Sequence, residues 1–394
     1  MKHHPLGVGR TRLAAVLSCG LMAVGVAACG SSSDSSSSSS SGSSSAGTSA
    51  VVTKAKAAVA AAQKPWTTWD GPTASAKPPK DVNLAIVVCA GVVAGCVQPG
   101  QEAQKAAQSL GWKTKVYDGK GDPSVQSRVV TQAVNSGANA ILLAGVDPAA
   151  IQDAMSAAKQ AKIPVGDMTQ GIAPSGGIAF DIGANYEKAG VLAGQWIVAD
   201  SGGKATVLPT NDKEFASTHA IVDGAVSVLK QCASCSVKPA DFFVASNIGN
   251  GLGQRIASDI QRDPKINYVI GAFDPAVSDM VPAIQNAGLG SRVKIISNVG
   301  LEQNLGFIRD GNVQAADVVF DNQYVGYAAV DQMIRTLTGA PLSKSSGETD
   351  PRYIYNENVP YHLVTKANVG DPKQPWHADI DTVARFDKLW GVGQ

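Results

Sequence analysis

The stretch GDPSVQSRVVTQAVNSGANAILLAGVDPAAIQDAMSAAKQAKIPV, residues 121–165, repeats one rhythm twice. Asp122 and Asp147 stand where helix N-caps belong, each followed by a proline at the first helical position, Pro123 and Pro148. Gly137 falls where a glycine ends a helix. Between the two helical patterns lies AILLA (140–144), a short run without a polar residue, as expected for a strand buried on both faces. Such a strand needs helices above and below it. The stretch therefore argues for a parallel sheet in an α/β protein.

The rhythm extends both ways. Upstream come a strand VNLAIVV (82–88), a helix GQEAQKAAQSLGW (100–112) and a strand KTKVY (113–117). Downstream, IPVGDM (163–168) is followed by a Gly-rich crossing, GIAPSGGIAFDIGAN (171–185). The alternation then restarts with a helix at 186–200 and continues to a strand VQAADVVF (313–320) and a helix at 323–339. One of its expected strands is SVKPADFFV (236–244). Two runs of one pattern predict two similar α/β lobes. The tail carries one strand, YHLVT (361–365), and a short terminal helix.

The N-terminus reads as an export signal. Lys2, Arg10 and Arg12 precede an apolar run from Leu13 to Ala28. That run is shorter than the roughly 20 residues a membrane-spanning helix needs. Val26-Ala27-Ala28-Cys29 resembles the lipobox of bacterial lipoproteins, which implies that Cys29 becomes the lipidated first residue. Gly30 to Ser49 is a Ser-rich tract with the composition of a flexible tether. Trp66 and Trp69, in the Pro-rich arm that follows, either staple the arm to the body or line a cleft. Of six cysteines, Cys19 leaves with the signal and Cys29 takes lipid. Cys89 with Cys96 and Cys232 with Cys235 form local pairs, which oxidise outside the cytoplasm. The net charge of +1 and the lack of a basic run exclude the electrostatic footprint of a nucleic-acid binder.

Phrases in a fixed order now carry a likeness: the stretch 121–165, then ANYEKAGVLAGQWI, KPADFF, DPKINYVIGAFDPAVSDMVPAIQNAG and VKIISNVGLEQNLGFIRDGNVQA. The chain resembles the class I solute-binding proteins of ABC importers, in their ribose- and galactose-type sugar branch. TTWDGPT and the paired cysteines are similar to an actinobacterial lipoprotein subgroup of it. The resemblance implies two Rossmann-like lobes with parallel sheets, joined by a three-strand hinge, with a ligand closed between them. On that plan residues 1–28 are the signal peptide, 29–50 the anchor and tether, and 51–80 the lead-in arm. Residues 81–182 form the first lobe, with a strand and helix returning to it near 321–340. Residues 183–320 form the second lobe, and 341–394 a tail on the body.

Ligands of open α/β sheets bind outside the carboxyl ends of the strands. After the first strand the sugar branch offers a polar group and an aromatic; CAGVVAGC has only small apolar residues there, with Ala90 and Val93 placed to line the cleft. Cys89–Cys96 either stiffens this loop for binding or serves stability alone. Where ribose-type relatives carry an Asp-Arg pair, the chain has Thr169 and Gln170, just after Met168. A binding arginine falls near His219, behind Phe215. Phe242 matches an aromatic that covers the ring. Phe273 and Asp274 stand for an Asn-Asp pair, Asn298 lies beside the position of a binding aspartate, and Phe320 takes the place of a glutamine. Each phenylalanine is equally readable as core. Charged sugar contacts give way to neutral and aromatic groups, so the expected ligand is more apolar or aromatic than a simple aldose.

Other motifs carry less. CASC (232–235) follows a helix instead of opening one, so it reads as a structural disulfide and not a thioredoxin-type site. GNGLGQ lacks the third glycine of a dinucleotide fingerprint. His219, His362 and His377 are far apart, and no catalytic pair emerges from the spacing of Glu214, Asp167 and Asp274. No cofactor, metal or catalysis is expected. The reading is a monomeric lipoprotein on the outer face of a Gram-positive cell membrane, binding a small molecule by hinge closure and delivering it to an ABC permease. Its membrane contact is the lipid anchor alone. The alternatives are a ligand sensor for a membrane receptor and an exported enzyme on the same scaffold.

Overall fold

The computed structural model describes residues 42–392. The expected signal, Cys29 and most of the tether lie outside the described residues. Chain order runs α1 (Gly42–Ala62), β1 (Asn83–Val88), α2 (Ala94–Ser109), β2 (Lys113–Asp118), α3 (Pro123–Asn135), β3 (Ala140–Ala144), α4 (Gln152–Gln160), β4 (Val165–Met168) and β5 (Asp181–Ile182). It continues α5 (Tyr186–Ser201), β6 (Thr206–Asp212), α6 (Ala216–Leu229), β7 (Ser236–Val237), β8 (Asp241–Phe243), α7 (Leu252–Arg262), β9 (Tyr268–Ile270), α8 (Asp274–Asn286) and β10 (Lys294–Val299). Last come α9 (Glu302–Asp310), β11 (Gln314–Phe320), α10 (Asn322–Thr338), β12 (Tyr361–Thr365) and α11 (Thr382–Trp390).

Two sheets result. One has the order β2-β1-β3-β4-β5, every pair parallel. The other runs β12-β11-β10-β9-β6-β7, with β8 beside β6. It too is parallel except at its edge, where β12 lies antiparallel to β11. All five residues of β3 are buried, which a central parallel strand requires. Asp122 caps α3 by accepting from Ser124 and Val125 N–H, and Asp147 caps the next turn by accepting from Ala149 N–H.

The two lobes follow from this division of strands. Where the chain leaves β11, α10 returns alone, without a strand, and packs on α2 of the first lobe. Chain passages between the lobes run through 183–185, at Asp321, and through the loop-rich segment before β12. Two further passages lie outside these three. α1 packs on α5 and β12 of the second lobe, and residues 63–82 then carry the chain to β1 of the first. After β12, the tail crosses back to seat α11 on α10.

Side chains bind these passages together. Trp69 lies 5.5 Å from Tyr324 and 5.3 Å from Phe386, ring to ring, and Trp66 lies 6.2 Å from Tyr361. Both tryptophans staple the arm, and neither reaches the cleft. Trp390 Nε1 donates to Asp331, which also holds Arg335 and Ser75. Glu357 is fully buried in the same region, and burial, then the nearby Asp331, pushes its carboxyl well above the usual range.

Three local expectations differ from the structure. α1 begins at Gly42, inside the stretch read as flexible tether, because its downstream Ala- and Val-rich turns pack on α5 and carry the helix upstream. α2 begins at Ala94, not Gly100, with Pro99 inside it. Its first turns are pinned by the Cys89–Cys96 disulfide, and the residue four before Pro99, whose carbonyl the ring crowds, is Gly95. The strand expected at 236–244 breaks into β7 and β8 around Pro239, which has no N–H for a ladder.

Candidate functional site

The strand ends of both sheets meet around an inner cavity of about 70 Å³. The first lobe gives Val93, Gly95, Cys96, Gly145 and Thr169, while α10 gives Asn322 and Val325. The second lobe gives Phe215, Phe273, Phe320, Val299 and Asn298. Tyr186 joins them from α5, Ser217, Thr218 and Ile221 from α6, and Pro275 from α8.

Local packing explains these positions. α5 and α6 approach so closely that a Cβ on Gly190 would stand 2.0 Å from the Ile221 carbonyl oxygen. Only glycine permits that crossing, which aims Ile221 and Tyr186 inward. Tyr186 packs edge-on against Phe320 at 5.4 Å, and Phe215 against Phe273 at 5.9 Å. Gly145 sits at φ 68°, and a Cβ there would lie 2.6 Å from Cys96 Sγ. The disulfide Cys89–Cys96 thus lies directly on the loop after β3. The second disulfide, Cys232–Cys235, is remote from the cavity.

Polar groups in the cavity are few. The hydroxyls of Thr169 and Ser217 have no hydrogen-bond partner among the described residues. The Thr218 hydroxyl is engaged by Phe215 O and Asn211. Asn298 donates its amide to Ala272 O and keeps its carbonyl oxygen for other use. Asn322 donates to Gln98.

Two cavity residues have left-handed backbones although they are β-branched: Thr169 at φ 71° and Val299 at φ 114°. Such conformations cost about 1–3 kcal/mol and cluster at functional sites. Each is held by a buried aspartate behind it. Asp181 Oδ2 accepts from Gly171 and Ile172 N–H, at 2.6 and 2.9 Å. Asp274 Oδ2 accepts from Gly300 and Leu301 N–H, at 2.9 and 2.7 Å. Each aspartate also faces a second one, Asp167 and Asp317 respectively, and desolvation raises all four carboxyls. Asp181 is pushed up to about 6, and Asp212, at the end of β6, to about 7, both chiefly by burial.

The structure gathers part of the expected site. Val93, Thr169, Phe215, Phe273, Asn298 and Phe320 meet at the inner cavity. Ala90 and Gln170 line an adjoining outer chamber of about 400 Å³, which shares Val93, Gly145 and Phe215 with the inner one. Four residues reach neither chamber. Met168, the last residue of β4, turns into the core at 0% exposure by strand alternation. Asp274 is buried beneath the wall, with its carboxylate turned to the amides of Gly300 and Leu301. His219 lies off the α6 face that presents Ser217 and Ile221, and contacts Asn211 instead. Phe242 alternates with the buried Phe243 and is 48% exposed, with His219 at 6.3 Å.

Tyr186, Ile221, Ser217, Pro275 and Val325 were missed. The first two had a legible signal in the glycines of ANYEKAGVLAGQWI and AIVDGAVS, which mark a close helix crossing. The others depend on the crossing angle of the lobes.

Comparison with known proteins bears on this arrangement. A family model described as periplasmic binding protein domain matches residues 85–341. The ribose import binding protein of Salmonella typhimurium is 24% identical over 242 residues, covering 60% of this chain and 78% of that protein. Among solved structures, an ABC transporter solute-binding protein from Agrobacterium vitis with bound allitol aligns with a TM-score of 0.63 at 19% identity, covering 74% of this chain and 97% of the other. A glucose-galactose binding protein from Geobacillus stearothermophilus aligns at 0.64 with 17% identity, covering 74% and 99%.

Proposed function

This chain belongs to the periplasmic binding protein domain family, and from that membership we propose that it is the extracytoplasmic binding subunit of an ABC importer. A small molecule bridges the two lobes, and hinge closure stabilises the bound form by differential affinity. The observation that carries this reading is the inner cavity itself, walled by strand ends of both lobes. In the family's transport role the closed pair of lobe surfaces is what a permease recognises. Lipid on Cys29 keeps the protein beside its membrane partner and raises the effective concentration.

The ligand is more apolar or aromatic than a simple aldose. Supporting this, the walls hold Phe215, Phe273, Phe320 and Tyr186, and few polar atoms are unengaged. A site shaped for many hydroxyls would leave each without a partner here, at about 1–3 kcal/mol apiece.

A thermal-shift screen tests the proposal. Ring-bearing apolar compounds are expected to raise Tm more than pentoses and hexoses do; strong stabilisation by the aldoses alone overturns the ligand assignment. Small-angle scattering with the best compound is expected to show compaction on binding. Consumption of the bound compound in a single turnover would instead identify an enzyme.

A further inference from the structure

The two chain passages beyond the three at the hinge share one design. In the arm, Trp66 packs on Tyr361 of β12, in the second lobe, and Gln63 Nε2 donates to Thr365 Oγ1 of the same strand. Trp69, in the next turn of chain, packs on Tyr324 of α10 and Phe386 of α11, on the first lobe. Arg335 donates to Ala74 O and Ser75 donates to Asp331, so α10 holds the arm further along as well. In the tail, the Trp376 ring stacks on His362 of β12 at 5.2 Å. His377 Nδ1 and Ala378 N–H then hydrogen-bond the Asp321 carboxylate at the hinge, at 3.1 and 2.9 Å. Phe386 and Trp390 pack on Tyr327 of α10, at 5.9 and 5.8 Å. Each segment is thus anchored by rings on both lobes.

Arm and tail also hold each other. Asp379 N–H donates to Trp66 O at 2.7 Å, Trp69 meets Phe386 edge-on, and the Arg385 guanidinium lies 5.9 Å from the Trp69 ring. Asn358, in the hinge passage before β12, donates to Asp70 O and ties the arm to the hinge. Both segments fall outside residues 85–341, the part of the chain that the family model matches.

Geometry gives them a consequence. The three residue steps from Trp66 to Trp69 span at most about 10 Å. With Trp66 fixed to one lobe and Trp69 to the other, the lobes part beyond that slack only by pulling a ring from its contact. Such a ring leaves its site only by exposing apolar surface to water. We propose that arm and tail form a double strap across the hinge, which limits how far the two lobes open. The strap sets the resting width of the cleft mouth, whatever the cleft binds.

Pulsed dipolar spectroscopy of the full chain tests it. Spin labels are carried on a ketone-bearing amino acid at Ala150 and Ser246, which leaves the disulfides untouched. Both positions are exposed, and they line the outer chamber from opposite lobes. The parent chain is expected to give one narrow distance distribution without ligand. A Gly-Ser-Gly-Ser insertion between Thr68 and Trp69 lengthens the arm and leaves every ring its partner. Trp376→Ala frees the tail from β12. Together they are expected to lengthen the mean distance by more than about 2 Å and to broaden the distribution. Either change alone is expected to give less, because the other segment still holds. Equal distributions in the parent and the double variant overturn the strap, as does a parent distribution already as broad as the variant's. Should the double variant fold poorly by circular dichroism, the insertion alone is read, in its exposed stretch: broadening supports the strap and none overturns it. The scattering test of ligand-driven compaction reads the binding function separately, so either can fail alone.

Discussion

In the first lobe Thr169 faces the cavity at φ 71°, and the amides that follow it donate to Asp181, which is paired with Asp167. In the second, Val299 faces it at φ 114°, and the following amides donate to Asp274, paired with Asp317. The supports differ. Asp274 and Asp317 share a hydrogen bond, which requires a proton on one of them. Asp317 also accepts from Gln314, Gln314 from Asn304, and Ser278 donates to Asn304. Asp181 instead sits on β5, at the crossing into the second lobe. One strained loop therefore rests on a network within its lobe. The other rests on the hinge, where any lobe movement reaches it.

The largest expected effect is at the network. Asp274→Ala strips acceptors from the Gly300 and Leu301 amides and is expected to cost about 3–5 kcal/mol in urea unfolding. Asp181→Ala is expected to cost about 2–3 kcal/mol. The reverse order would break the comparison. Next comes an asymmetry of covalent support, since only the first lobe's wall is stapled by a disulfide. Replacing Cys89 and Cys96 by serine is expected to cost about 2–3 kcal/mol on the chain-entropy model. It should also weaken ligand binding through the freed Ala90–Val93 loop. Stability lost with affinity unchanged would make that disulfide purely structural.

A smaller effect concerns the strain itself. Val299→Gly relieves about 1–3 kcal/mol of backbone strain, against about 1 kcal/mol of lost packing and chain entropy. Stability should hold or rise, and Thr169→Gly, at a milder angle, should gain less. A loss above about 1 kcal/mol for Val299→Gly would show that the left-handed turn is not strained.

The smallest effect is on pH. Carboxyls whose folded pKa is raised bind more protons folded than unfolded, so their stabilisation is complete below the unfolded value and lost as pH rises through the folded one. With Asp181 at about 6 and Asp212 at about 7, Tm should rise as pH falls from 8 to 5. His377, raised by its hydrogen bond to Asp321, acts in the same sense, and His362, lowered by burial, opposes it. Glu348, held at about 2 by hydrogen bonds from Lys188 and Asn185 that outweigh its desolvation, loses its contribution only below about pH 4.5. Asp167→Asn supplies a permanent N–H toward Asp181 and should flatten the first lobe's share. Calorimetric scans showing a flat or falling Tm across this range would remove proton sharing from the comparison.

Much of the fold was legible. Asp122-Pro123 and Asp147-Pro148 announce helix starts, and AILLA announces a doubly buried strand, because capping and burial are local or nearly so. The cleft was legible in part. Residues at or just beyond strand ends, such as Thr169, Phe273 and Phe320, are placed by topology alone. His219 and Phe242 depend on which helix or strand face turns inward, and a one-residue difference reverses that. The arm was the least legible: its tryptophans were visible, but their partners Tyr324, Tyr361 and Phe386 lie hundreds of residues away.

By itself the sequence determined the alternating elements, the two lobes and the loss of charged groups at the strand ends, since each follows from periodicity and residue type. Only the tertiary structure decided that two left-handed residues line one cavity, each backed by a buried aspartate pair. It alone also set a small, largely apolar cavity beside a larger outer chamber. These features arise where separate lobes close on each other, and no local propensity encodes that approach.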